Sequence, residues 1–266
     1  ENIVNGLSGN QIEQTMTDVF TLPLHENLLA SQFRPAAAMF YQQSYNKIMR
    51  KIVAGNIIFA DETKINLRDG SGYVWVFASM EEVFFMFTET REGDFLKQLL
   101  QKFKGVLVSD FYAAYTSINC AQQKCLIHLI RDLNEDFFKN QLDDEFKEIL
   151  HQFTALLRKI IDTIDKRGLK KRYLNKHRRD TKYFFKQLSR REYKSELSQS
   201  YQKRFLKNEG VLFTFLEHDG IPWNNNNAEH AMKVFAEFRH RSGYLFTKAS
   251  LKEFLILLSM YQTCKY

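Results

Sequence analysis

The sequence of 266 residues lacks the features that mark secreted and membrane-spanning proteins. Its three cysteines, Cys120, Cys125 and Cys264, are an odd and small number, which indicates a reducing compartment and argues against a disulfide scaffold. No apolar run approaches the roughly 18 residues of a membrane span. The opening stretch ENIVNGLSGN lacks the basic and apolar regions of a signal peptide. We therefore expect a cytoplasmic protein with no membrane partner, whose hydrophobic content of 44% suffices for a globular core.

Positive charge is concentrated in one part of the chain. The formal net charge is +7, but residues 151–210 hold 18 Lys and Arg against 6 Asp and Glu, so this segment carries +12 and the remainder −5. Its densest part, KRGLKKRYLNKHRRDTKYFFKQLSRREYK, interleaves aromatic residues with the cations. Such a face suits a polyanion, because phosphates neutralised by Lys and Arg release their counterions. Nucleic acid is the favoured partner, and a solvated helix surface is the alternative.

The first 54 residues predict a small helical unit. Helical spacing covers 10–20, 24–31 and 35–52, with Pro23 and Pro35 between the segments. Three short helices of this kind usually pack on a neighbouring domain, and a remnant of a DNA-reading helix-turn-helix is the alternative.

Residues 55–130 change to the pattern of β-structure. NIIFADETKINL, YVWVFAS and EVFFMFTET are rich in β-branched and aromatic residues, which predicts three antiparallel strands. An amphipathic helix over GDFLKQLLQKF and an apolar strand over GVLVSD follow, and this order predicts a return parallel to the sheet. YAAYTSI predicts a short helix, whereas KCLIHLI fits strand or helix.

The remaining residues are predicted to be helical. Residues 131–220 form a basic insertion with a long helix at 142–164, whose apolar positions begin at Leu142. Residues 221–266 complete the core with helices at about 226–240 and 249–262. This order predicts an α/β fold of the ribonuclease-H-like type: a mixed sheet of three antiparallel strands plus parallel strands, with a large all-helical insertion.

Three acids fall at informative points of this plan. Asp61 lies within the first strand, Asp110 ends the strand VLVSD where open α/β sheets place their ligands, and Glu229 lies in the first turn of a later helix. Three converging carboxylates repel one another unless divalent cations lie between them, and oxygen ligands favour Mg²⁺ or Mn²⁺. The alternative for any one acid is a solvated cap. Glu62 is a rival to Asp61, but strand alternation sends it to the opposite face.

Four blocks of sequence together resemble a known family. FADET, GVLVSDFYAAY, the Cys-x-x-His of QQKCLIHLIRDL, and IPWNNNNAEHAMKVFAEFRHRSG are similar to successive signature blocks of bacterial DDE transposases of the Insertion Sequence 66 type. The resemblance implies that Asp61, Asp110 and Glu229 are catalytic and bind two Mg²⁺ or Mn²⁺ ions. It also implies hydrolysis and strand transfer on double-stranded DNA in the bacterial nucleoid, by at least a dimer.

Other residues receive supporting roles in this interpretation. Asparagine caps a helix start, and Asn226 and Asn227 are further predicted to hydrogen-bond metal ligands or a phosphate. Lys233, Arg239 and Arg241 are predicted phosphate clamps, although Lys233 also suits an i,i+4 pair with Glu229. The predicted DNA contacts of the insertion are Lys171, Arg172, Arg178, Arg179 and Lys182.

Cys125 and His128 match the family's Cys-x-x-His. Two ligands do not make a zinc site, so we expect a structural or DNA-contacting role for them and no zinc. Tyr112 either packs beneath Asp110 or stacks on a base near the cleaved bond. Trp75 is expected in the core.

Two alternative functions stay open at this point. One is a non-catalytic DNA-binding relic of a transposase, which the retention of all three acids argues against. The other is a ribonuclease-H-like nuclease that cuts without joining, although the broad basic insertion suits long DNA ends better than a small substrate.

Overall fold

The computed structural model describes residues 7–242 and 246–265, except for the side chains of residues 241 and 242. These residues fall into two compact units. Unit 1 comprises the described residues of Glu1–Gly105, Ala113–Cys120 and Asn226–Tyr266. Unit 2 comprises Val106–Tyr112 and Ala121–Asn225. The predicted insertion, 131–220, lies wholly within unit 2, whereas the segment 55–130 is divided between the units.

The N-terminal helices of unit 1 follow the predicted segments closely. Helix α1 spans Gly9–Phe20, and Ser8 caps it by exchanging side-chain and backbone hydrogen bonds with Gln11. Helix α2 (Glu26–Leu28) continues into a short π-helix (Leu29–Phe33), and the long helix α3 spans Arg34–Ala54.

Three antiparallel strands form the sheet of unit 1. Strand β1 spans Ile57–Leu67, β2 spans Gly70–Ala78 and β3 spans Val83–Thr88, with β2 in the middle. Most residues of β2 and β3 and the first four of β1 are buried. Trp75 is fully buried, and its indole N–H donates to Thr88 Oγ1 at 2.7 Å. The predicted meander and the core position of Trp75 are confirmed.

Helices cover both faces of this sheet. The aromatic ring of Tyr45 on α3 stacks on Phe84 at 4.3 Å between ring centroids. The ring of Phe235, on helix α12 (Asn226–Ser242), lies 6.4 Å from that of Phe85 between centroids. Phe84 and Phe85 are neighbours on β3 and point to opposite sides of the sheet, so α12 covers the other face. Helix α13 (Lys248–Lys265) packs on α3 and β3, where Ser259 Oγ accepts the backbone N–H of Phe85 at 2.9 Å.

The two units share the segment that follows the meander. Helix α4 (Asp94–Leu99) and helix α5 (Ala113–Thr116) belong to unit 1, and α4 ends earlier than the predicted 93–103 helix. Strands β4 (Val106–Ser109) and β5 (Ala121–Lys124) pair in parallel in unit 2. The sequence pattern did not predict β5 as a strand. The ambiguous KCLIHLI begins at the end of β5 and continues as a helix.

The rest of unit 2 is a block of helices whose core contains several buried phenylalanine rings. Phe153 contacts the rings of Phe184 and Phe205 at 6.1 and 5.1 Å, and each of these rings is at least 96% buried. Short 3₁₀ turns at Asn175–His177 and Thr214–Leu216 join some of its helices. The helices of the block are α6 (Leu126–Lys139), α7 (Asp144–Arg167), α8 (Lys171–Leu174), α9 (Arg178–Arg190), α10 (Glu196–Lys207) and α11 (Glu209–Leu212).

The start of α7 differs from the predicted one. Leu142 is 94% exposed and lies before the helix, because Asp143 caps it and accepts the backbone N–H of Phe146 at 2.9 Å. The prediction that Leu142 belongs to the apolar face was therefore wrong.

The strand pairing confirms the predicted α/β class. Five strands pair in both antiparallel and parallel fashion, and helices supply most of the remaining structure, as in a ribonuclease-H-like domain with a large helical region. In the described part of the chain, no helix is both long enough and apolar enough to cross a membrane.

Gly105 is a position where unit 1 has no room for a side chain. A Cβ there would overlap the backbone carbonyl of Asn56. We expect Gly105→Ala to lower the free energy of unfolding by about 1–3 kcal/mol, as other overpacked positions do. Thermal melting is the measurement.

Gly210, on helix α11, provides the matched control. A Cβ there meets nothing within 4 Å, so Gly210→Ala should leave the melting temperature unchanged or raise it slightly. Equal melting of both variants would contradict the tight contact at Gly105.

Candidate active site

Strand β1 presents its two adjacent acids to opposite faces of the sheet of unit 1. Asp61 pairs with Val76, which pairs with Phe85, so these three residues share a face. Glu62 pairs with Trp75 and shares the other face with it. Asp61 is half-buried, and its Oδ1 accepts the backbone N–H of Glu62 at 2.9 Å. The predicted alternation of Asp61 and Glu62 is confirmed.

Helix α12 covers the Asp61 face and carries Glu229 in its first turn. Near its start, Asn227 Nδ2 donates to the carbonyl oxygen of Ser79, one residue beyond β2, at 3.3 Å. Towards its end, Arg239 Nη1 donates to Thr63 Oγ1 at 3.0 Å and to the carbonyl oxygen of Lys64 at 2.5 Å. The helix is thereby fixed to the sheet at both ends.

These anchors place Asp61 beneath the helix. Between Asn227 and Arg239 the helix advances by roughly 18 Å at 1.5 Å per residue. The first anchor, Ser79, lies one residue beyond the Phe59–Ala78 pair, so the matching stretch of β1 that ends at Thr63 is five residues, or about 17 Å at 3.4 Å per residue. Helix α12 therefore runs along β1, and Asp61 lies between the two anchors on the face that the helix covers.

Glu62 takes part in a buried network that the sequence pattern did not reveal. Its side chain is 2% exposed, and Oε1 accepts from Arg91 Nη2 at 2.5 Å and Nε at 3.1 Å. Its Oε2 accepts the hydroxyl proton of Tyr115 at 2.5 Å, and the Tyr115 ring packs edge-on against Trp75. This network ties β1 to α5 and to the segment after β3. The only sequence signal was the alternation that turned Glu62 inward.

Asp110 follows strand β4 in unit 2, at the predicted carboxyl end. It is half-buried, and its Oδ1 accepts the backbone N–H of Tyr112 at 2.9 Å. The hydroxyl of Ser109 donates to the carbonyl oxygen of Asp110 at 3.0 Å. Tyr112 is itself half-buried. Its backbone N–H orients the Asp110 carboxylate, whether the ring packs beneath the acid or stacks on a base.

A buried lysine lies beside this acid. Lys124 pairs with Ser109 across β4 and β5, is 2% exposed, and donates from Nζ to Ser109 Oγ at 3.0 Å. A lysine is rarely buried to this degree unless a charged or hydrogen-bonded partner offsets the loss of water. Sequence reasoning missed it, because an isolated Lys in AQQK resembles an exposed residue.

The Cys-x-x-His pair lies at the start of helix α6. The backbone N–H of Cys125 donates to the carbonyl oxygen of Ser109 at 2.8 Å, and its buried Sγ accepts the backbone N–H of Asn225 at 3.3 Å. Both bonds attach the helix start to its surroundings in unit 2. His128, in the first turn, is half-buried.

The other predicted site residues on α12 differ in exposure. Asn226 and Lys233 are exposed, and Asn227 uses its amide to anchor the helix. Arg239 is half-buried and spends two of its five N–H donors on β1. The side chain of Arg241 lies outside the described residues.

The predicted DNA contacts of unit 2 lie around α8 and the start of α9. Lys171, Arg172, Arg179 and Lys182 are exposed. Arg178 differs, because its Nε pairs with Glu217 Oε1 at 2.9 Å.

Comparison with known families identifies the chain. A search of curated proteins gave no match. The model of the Transposase IS66 family, however, matches residues 2–252, which is nearly the whole chain. This match agrees with the strand order and with the signature blocks around the three acids, and the chain belongs to the Transposase IS66 family.

Proposed function

We propose that this transposase cleaves the phosphodiester bonds at the ends of its element and joins the freed ends to target DNA. Asp61, Asp110 and Glu229 are the proposed catalytic acids. The observation that carries the proposal is the cover of the Asp61 face by α12, the helix that carries Glu229 in its first turn.

The donor set of these acids fits magnesium or manganese. All three side chains are half-buried carboxylates, and hard oxygen ligands of this kind suit Mg²⁺ and Mn²⁺. When bound, two such ions stabilise the attacking and leaving oxygens of an in-line phosphoryl transfer. Zinc is no part of the proposal, because Cys125 and His128 supply only two ligands, whereas structural zinc sites have four.

The surrounding residues orient the proposed acids. The backbone N–H of Tyr112 fixes Asp110, and that of Glu62 fixes Asp61. Buried Lys124 donates to the hydroxyl of Ser109, the residue before Asp110, and so helps to fix the strand end that bears this acid. Asn226 is exposed at the helix start and is proposed to donate to a phosphate without adding charge.

DNA is the proposed partner of the exposed cations. Lys171, Arg172, Arg179 and Lys182 of unit 2 and Lys233 of unit 1 are proposed to contact phosphates. Arg178, Arg239 and Arg241 complete the set, the first two with part of their donors already used within the protein. Since joining involves two element ends, we propose that at least a dimer acts on DNA.

A single assay separates this proposal from its two alternatives. The intact chain is incubated with labelled DNA that carries the element's ends, with Mg²⁺, with Mn²⁺ or with a chelator. Metal-dependent nicking followed by joining is the expected result. Nicking without joined products would favour a nuclease. Binding without cleavage in either metal would favour a non-catalytic relic.

A further inference from the structure

Unit 2 contains a cavity that the proposed chemistry does not use. It has a volume of about 290 Å³ and lies between helix α9, helix α11 and the segment that follows α11. Arg178 and Lys182 line it from α9, and Glu209 and Gly210 line it from α11. Two predicted phosphate contacts thus belong to the wall of one cavity.

From this cavity we infer a binding site for a single unpaired nucleobase of the bound DNA, with guanine preferred. The inference rests on the proposed function only in taking DNA as the ligand. The volume is near the lower end of small-molecule sites, about 300–1,000 Å³, so it admits one base and excludes a duplex.

The floor of the cavity is aromatic. Phe185 and Phe213 line it and are at least 93% buried, with their rings 6.0 Å apart in an edge-to-face arrangement. These rings give the cavity a closed apolar floor, which suits the flat, uncharged body of a base better than a charged group. The floor therefore accounts for holding a base, but not for choosing one.

Apart from Arg178 and Lys182, the polar side chains of the wall offer hydrogen-bond acceptors. Thr214 donates its hydroxyl proton to the carbonyl oxygen of Gln122 at 2.6 Å, and Thr181 donates its own to that of Arg178 at 3.0 Å. Because each hydroxyl proton is already donated, each threonine oxygen can take part in a further hydrogen bond only as an acceptor. Glu209 and Glu217 add two carboxylates, which accept only.

This wall suits a base edge that donates. Guanine presents a ring N–H and an amino group side by side, the arrangement that a carboxylate accepts with both oxygens. Adenine and cytosine present an amino group alone, and thymine presents a ring N–H alone. Among the four bases, guanine thus offers the most donors to this wall, and thymine is the poorest fit.

Cations at the entrance suit the phosphates of the same strand. Lys182 lines the cavity, and Arg179 is exposed nearby on the first turn of α9. Arg178 is paired with Glu217 at 2.9 Å, which holds that carboxylate in the wall. These cations therefore neutralise the phosphate charges of a single strand at the point where one of its bases enters the cavity.

Gly210 allows the cavity to be filled without disturbing the fold. A Cβ there meets nothing within 4 Å, and the residue lies in the helical turn of α11. Gly210→Leu should occupy the volume that the base requires, whereas Gly210→Ala adds one methyl group and serves as the matched control.

The test measures binding in a chelator, with Asp110→Asn as the background, so that cleavage plays no part. The probes are a labelled blunt duplex and the same duplex with a short thymidine extension, with or without one guanine. We expect the guanine extension to bind about tenfold more tightly than the thymidine one, and Gly210→Leu to abolish that gain. Blunt-duplex affinity and the Gly210→Ala control should be unchanged.

Glu209→Gln is a second variant that adds no volume. It should reduce the preference for guanine over thymine while the variant still binds both extensions. Equal affinity of the parent protein for the two extensions would overturn the inference, as would a Gly210→Leu variant that melts normally and keeps the preference. Such results would leave metal-dependent cleavage by the intact chain unaffected. Failure of cleavage with a retained guanine preference would overturn the proposed function alone, and failure to bind any probe would overturn both.

Discussion

Asp61→Asn is expected to lower metal-dependent cleavage of element-end DNA by about a thousandfold. Loss of one carboxylate from a metal site removes several kcal/mol of transition-state stabilisation, and about 4 kcal/mol corresponds to three orders of magnitude. The substitution is nearly isosteric, and the amide oxygen still accepts the backbone N–H that Asp61 Oδ1 accepts at 2.9 Å. The melting temperature should therefore move by no more than about 2 °C. Asp110→Asn should behave in the same way.

The neighbouring acid provides the control, because it lies on the other face of the same strand. Glu62→Gln keeps an acceptor for one partner but removes the charge that Arg91 pairs with at 2.5 Å. The Glu62 carboxylate is 2% exposed, whereas Arg91 is 44% exposed, so water offsets part of the loss. We expect the free energy of unfolding to fall by about 1–3 kcal/mol. Most of the cleavage activity should be retained below the melting temperature.

Measuring both properties on both variants distinguishes the two roles. Cleavage rates and thermal melts of the same preparations should show loss of activity for Asp61→Asn and loss of stability for Glu62→Gln. An active Asp61→Asn variant would remove Asp61 from the catalytic set. A stable but inactive Glu62→Gln variant would put Glu62 in its place.

The sequence was sufficient for the parts of the fold that depend on local pattern. Strands β1, β2 and β3 are neighbours along the chain, so alternation and turn residues determine their pairing without distant contacts. The same alternation placed Asp61 and Glu62 on opposite faces. The position of Glu229 in the first turn of α12 was predictable for a similar reason, since the residues before a helix indicate where it begins.

Long-range contacts explain what the sequence did not reveal. Strand β5, AQQK, has three buried polar residues and no apolar pattern. Gln123 is fully buried because its amide bonds to the carbonyl oxygen of Leu212 and the backbone N–H of Phe215, some 90 residues away. The anchors of α12, from Asn227 to Ser79 and from Arg239 to Thr63, join residues that are even more distant, 148 and 176 positions apart. No window of sequence contains both partners of these bonds.

Reversal of charge on the basic face is the second large effect that we expect. The triple variant Lys171→Glu, Arg179→Glu and Lys182→Glu should weaken binding to duplex DNA about a hundredfold or more at low salt. The slope of the logarithm of affinity against the logarithm of salt concentration should become shallower by about 3, one for each phosphate contact. Arg178 is left unchanged, because reversing its charge would place two negative charges side by side at Glu217. A loss of stability could then not be distinguished from a loss of DNA binding.

A matched variant separates this face from net charge alone. Lys47, Lys102 and Lys104 are exposed in unit 1, and reversing them changes the net charge of the protein by the same amount. If the basic segment contacts DNA directly, the control variant should lose far less affinity and keep the parental salt slope. Equal losses in the two triple variants would mean that DNA responds to the charge of the whole protein. The exposed cations of α8 and α9 would then be solvated side chains with no phosphate partners.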